Sequence, residues 1–81
     1  MTFPLFSRVI LRVDLPEEHL MAGDVGTIVE HHPATPAYPE GYEVEFFASN
    51  GETLSVVSVP ATALRQATRE EVLHVRPHVA A

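Results

Sequence analysis

The chain has no cysteine, so it can form neither a disulfide nor a thiolate zinc site, and it has no thiol nucleophile. It has no lysine either: its five cations are all arginines, set against eleven Asp and Glu for a net charge of −6. A body this acidic repels a phosphate backbone unless its arginines gather on one face. The same acidity suits a basic protein partner. No run approaches the roughly 20 apolar residues of a membrane span. The opening MTFPLFSRVILRVDLP is interrupted by Arg8 and Arg12 and has no small-residue cleavage site, so no signal peptide is expected. The expected setting is soluble and cytoplasmic, with no membrane partner and no small-molecule substrate.

What is present points to a globular chain. Hydrophobic residues make up 46% of its 81 residues, which suits one small domain over 1–81 with a thin core. Residues 5–76 are expected to form its body and 77–81 to fray.

The apolar runs are short and punctuated by turn residues, which predicts strands. The first is expected at Ser7–Val13, with Val9, Leu11 and Val13 inward and Arg8, Ile10 and Arg12 outward. A ten-residue loop follows, holding Pro16, Glu17 and Glu18 and one helical turn at most, packed down by Leu20. The second strand is expected over Asp24–His32. Val25, Ile28 and Val29 fit no single two-residue period there, so the strand must bend. Gly23 is read as a positive-φ turn residue. Gly26 marks a close backbone approach or a bulge. A loop stiffened by Pro33, Pro36 and Pro39 leads to a third strand with Tyr42, Val44 and Phe46 inward.

Asn50-Gly51 predicts a type I′ hairpin. The return strand, Thr53–Val59, is expected to shift face within Val56–Val59 before Pro60 stops it. One 3₁₀ turn over Pro60–Ala67, with Leu64 inward, precedes a short final strand or extended piece. Thr68 and Glu71 match a capping box. Glu71–Arg76 is nevertheless assigned as strand-like. The order describes an all-β, small SH3-like barrel of about five strands, a shape that hides sheet edges.

Three segments, DLPEEHLMAGDVGTIVEHHP, GYEVEFFASNGET and EEVLHVR, resemble a family of short bacterial proteins, the domain of unknown function 4926. Val59-Pro60-Ala61 and Leu64-Arg65 match its closing motif. The resemblance spans about residues 5 to 76 and implies an SH3-like barrel. It implies no particular activity; an interaction or antitoxin-like role is what it suggests. A more distant likeness joins Gly23, Gly26 and Ile28 to the Gly-x-x-Gly turn of ribosomal and transcription-factor barrels. That turn is normally flanked by basic residues, where this chain has Asp24 and Glu30. Nucleic acid is therefore the alternative ligand class, and it would need Arg8, Arg12, Arg65 and Arg69 to cluster.

Few residues suggest catalysis. Ser7, Ser49, Ser55 and Ser58 lie in no nucleophile context. Glu43 and Glu45 share one strand face, turned toward water. His31 and His32 are adjacent, so a strand sends them to opposite faces and they cannot chelate one ion together. A metal would need one of them with His19 or Glu30. The expectation is a strand end, with one ring on apolar surface and the other in solvent. No catalytic residue, metal or cofactor is predicted. Phe47, next to an inward Phe46, should face outward, unless VLHV of the tail or FPLF of the N-terminus covers it. With His32 and Tyr38 near it, and Glu17 and Glu18 adding charge, it forms a candidate protein-binding edge of a non-enzymatic interaction module, which can also self-associate.

Overall fold

The computed structural model describes residues 2–79. Five antiparallel strands form one sheet: β1 (Arg8–Leu11), β2 (Val25–His32), β3 (Gly41–Phe47), β4 (Thr53–Pro60) and β5 (Leu64–Gln66). The strand order is β4-β3-β2-β1-β5. Only a three-residue 3₁₀ turn, Ala61–Ala63, joins the two edge strands β4 and β5. Such a short link brings opposite edges together only if the sheet curls. The result is the small barrel the strand order predicts, with the 3₁₀ turn before the last strand.

The curl encloses one core of Val9, Leu11, Leu20, Ile28, Tyr42, Val44, Phe46, Val59, Ala63 and Leu64. Strand period two explains most of it: Tyr42, Val44 and Phe46 are buried while Glu43 and Glu45 are turned out. Leu20 packs beneath the first loop as expected, and a second 3₁₀ turn, Pro16–Glu18, precedes it.

The bend in β2 has a specific cause. Its pairing with β3 slips between Ile28 and Glu30, leaving Val29 as a bulged residue. Ile28 faces Val44 before the slip, and His31 faces Tyr42 after it. Gly26 has the other role considered for it. A Cβ there would lie 2.4 Å from Val44 Cγ1, so only glycine lets the strands approach. Gly23 takes φ +95° in the turn, with its N–H donating to Leu11 O at 2.8 Å.

Four expectations need correction. β1 ends at Leu11, so Val13 lies outside it and is exposed, and Ile10 is buried although it points away from the core; it lines a groove under the C-terminal tail. The β3–β4 turn is not type I′, because Gly51 has positive φ and Asn50 does not. Gly51 N–H donates to Ala48 O, and Ala48 N–H donates to Glu52 O. This is a three-residue loop, a tight turn followed by a left-handed glycine. The β4 face shift lies at Leu54, opposite Phe46 and Phe47, not within Val56–Val59. Finally, Glu71–Arg76 is not a strand. Thr68 N–H and hydroxyl both donate to the Glu71 carboxylate, but Glu71 N–H donates to the Thr68 carbonyl and not to its hydroxyl, so only half of the capping box forms, as an isolated turn with no helix behind it. The fraying expected over 77–81 falls in part on residues 80 and 81, outside the described set.

Candidate functional site

The two histidines settle into different environments. The His31 ring lies 4.9 Å from the buried Tyr42 ring, and its Nε2 lies 2.8 Å from Glu40 Oε2. His32 is on the other face, more exposed, with Nε2 2.9 Å from Glu43 Oε2. The strand-end reading thus describes both. His19, the other ligand considered, is in the β1–β2 loop beside His78, at 6.0 Å between ring centroids. Among the described residues, no three His, Asp or Glu side chains converge as a metal site would require.

The outer face of β2 and β3 is acidic. Glu30 stands directly opposite Glu43, and Glu45 opposite Thr27. Glu43 accepts hydrogen bonds from Ser58 and His32; the Ser58 bond, then His32, hold its pKa below the ordinary value, against partial desolvation. Glu45 accepts a bond from Thr53 Oγ1 at 2.6 Å. At the His32 end, the 33–40 loop is organised by Thr35, whose Oγ1 accepts from the N–H groups of Ala37 and Tyr38. That loop holds Tyr38 outward, 74% exposed.

The candidate edge is split by the register. Gly26 pairs with Phe46 and His32 with Gly41, so Phe47 and His32 lie at opposite ends of the β2–β3 ladder. Six residues of strand separate those ends, roughly 20 Å. Phe47 does not neighbour His32 or Tyr38, and that expectation is corrected. Nor does the N-terminus cover it: Phe3 stacks on Tyr42 at 5.2 Å, with its N–H donating to the Tyr42 hydroxyl. Phe47 is 43% exposed and shares a groove with Leu54, Ile10 and tail residues 72–76. Glu17 and Glu18 are exposed, and Glu18 is on the tail side, where its carbonyl accepts from His78.

The tail crosses that end as a strap held by charge. Arg65 forms a two-pronged pair with Glu71, and this pair, helped by Thr68, lowers the Glu71 pKa to about 2. Arg76 reaches back to the Gly-x-x-Gly turn, where Nε donates to Asp24 Oδ1 at 2.9 Å and Nη2 to Asp24 Oδ2. The tail's own Val72, Leu73 and Val75 remain exposed. Three of the five arginines are therefore in contact with the protein's own carboxylates: Arg65, Arg76, and Arg69 against Glu70.

Sequence reasoning missed Phe6. It takes φ +65° in a turn closed by Ser7 onto Pro4, donates its N–H to Ile28 O, and exposes its ring. An exposed aromatic in the left-handed region is uncommon, and Pro4 two residues earlier is the signal that marks the turn.

An all-β barrel with one acidic outer face and a charge-held strap is the class these features define. The chain belongs to the family described as domain of unknown function (DUF4926), whose model matches residues 5–66. The match covers the barrel through β5 and stops before the strap. No curated protein and no solved structure matches the chain. Among the described residues, no helix is long and apolar enough to cross a membrane.

Proposed function

We propose that this protein is a non-enzymatic interaction module that binds a basic protein. The contact surface is the outer face of β2 and β3, with His32 at its end, continued by the 33–40 loop that carries Tyr38. One observation carries the reading: Glu30 and Glu43 stand directly opposite each other on an exposed face. Like charges in that position destabilise a sheet. A lysine or arginine from a partner, placed between them, relieves the repulsion and gains two charge-assisted bonds. Tyr38, exposed on the loop that follows β2, supplies the aromatic contact such interfaces favour. An antitoxin-like role is the case in which the basic partner is a toxin. The setting we propose is the cytoplasm, consistent with a cysteine-free chain.

The test is capture from extracts of the source cells, with wild type compared to a Glu30→Gln, Glu43→Gln, Tyr38→Ala triple variant. The expected result is a basic protein held by wild type, released as salt rises, and lost by the variant. Equal recovery on both baits would refute the proposal.

A further inference from the structure

β4 is an open edge of the sheet, and among the described residues no segment pairs with its outer side. Sheet edges are ordinarily guarded by charge, since unpaired N–H and C=O groups invite another strand. On a chain of net charge −6, β4 reads TLSVVSVP and carries no charged residue. Val56, at its middle, is 52% exposed.

The ladder shows which backbone groups are free. Ala61 N–H donates to Glu40 O, so Glu40 and Ala61 form a bonded pair. Stepping by two along the register, Tyr42–Val59, Val44–Val57 and Phe46–Ser55 are bonded pairs as well. Val59, Val57 and Ser55 thus turn their backbone groups toward β3. Val56 and Ser58 turn theirs to the open side, whereas the bulge interrupts the alternation at Leu54, which keeps its N–H toward β3 and offers only its C=O.

We infer that β4 pairs with the β4 of a second copy, antiparallel, about a two-fold axis through Val56. That axis, perpendicular to the sheet, keeps outer face with outer face, as a continuous sheet requires. Val56 then faces Val56, and Leu54 faces Ser58 twice over. The three facing pairs exchange roughly four backbone hydrogen bonds, because each bulged Leu54 offers only its C=O. An axis through Val57 would instead centre on groups already bonded to β3 and on a side chain packed against the core rather than on the exposed Val56.

Charge selects the occupant. Copies of this acidic chain repel each other broadly, and β4 is a neutral seam. The nearest like charges in line, Glu45 and its symmetry mate, would be three strand spacings apart, roughly 14 Å. That exceeds the Debye length of about 8 Å at physiological salt. One strand edge buries less than the roughly 1,000 Å² of a tight interface, so the dimer is concentration-dependent. The inference names one partner of the interaction module proposed above, yet it stands on β4 alone. Its failure would leave the acidic-face reading intact, and the reverse holds too.

The absence of cysteine supplies a clean test. Val56→Cys places a single thiol opposite itself, with Cα atoms near 5.5 Å apart, within disulfide range. Under mild oxidation, Val56→Cys should form covalent dimers about tenfold faster than Val72→Cys, a control at a more exposed position. Sedimentation of wild type should rise from the mass of one 8.9 kDa chain toward twice that between micromolar and millimolar concentration. Val56→Lys sets like charges face to face and should remain a monomer with an unchanged melting curve. A wild type that is monomeric to millimolar concentration overturns the inference, as do equal crosslinking rates for the two cysteine variants.

Discussion

Gly26 shows how one residue governs the barrel. It pairs with Phe46, and its missing Cβ leaves room for Val44 and Phe46 side chains. Gly26→Ala forces these core groups apart and should destabilise the protein by about 1–3 kcal/mol, read from urea unfolding. Tyr42→Phe keeps the ring packing and removes only the hydroxyl that accepts the Phe3 N–H. Its expected cost is about 1 kcal/mol in the same assay. The φ of Gly51 leads to a further contrast. Gly51→Ala should cost roughly 1–2 kcal/mol through the left-handed backbone. Asn50, with ordinary φ, should tolerate alanine with only the loss of its bond from Glu52 N–H.

At the scale of elements, strand positions were legible because alternation is a local property. Tyr42-Glu43-Val44-Glu45-Phe46 needs no tertiary information to show which side is buried. Where a bulge resets the alternation, sequence reveals a break but not its place. Val25, Ile28 and Val29 announce a bend without showing which residue bulges. Val56-Val57 looks more irregular in sequence than Leu54-Ser55, so the bulge at Leu54 is not visible there. Val72, Leu73 and Val75 read as strand-like, but no partner strand awaits Glu71–Arg76. Phe47 and the 33–40 loop are close in the chain, whereas an antiparallel strand carries its end away from its start.

The strap also makes a pH prediction. The Glu71 pKa is depressed in the folded protein, from the ordinary 4.5 to about 2. The Glu71–Arg65 contact is therefore fully present above the ordinary value and is lost as pH falls toward the lower one. Amide signals of residues 68–76 should shift toward exposed-chain values over that interval while those of the core residues Val9, Leu11 and Ile28 hold. Arg65→Ala should produce the same shift at neutral pH, and a strap unmoved by either change would show that the pair does not hold it.

At the scale of the whole molecule, the charge is unevenly spent. Arg65, Arg69 and Arg76 are in contact with acids of the strap or the first turn. The β2–β3 face keeps Glu30, Glu43 and Glu45, with His32 against Glu43 and Arg8 in the same row as Glu45, across Thr27. The family match ends at residue 66, so the acidic face lies within the matched stretch and the strap beyond it. Composition already disclosed the acidity. It could not disclose that Glu30 would face Glu43, because the Val29 bulge sets that pairing.

The most direct measurement of the central claim is an amide chemical-shift map of the labelled protein, titrated with the basic protein captured from source cells. The account predicts shifts concentrated at Glu30, His32, Tyr38, Glu43 and Glu45, reversed by raised salt. Shifts confined to the strap groove around Phe47, or no binding by this face at all, would contradict it.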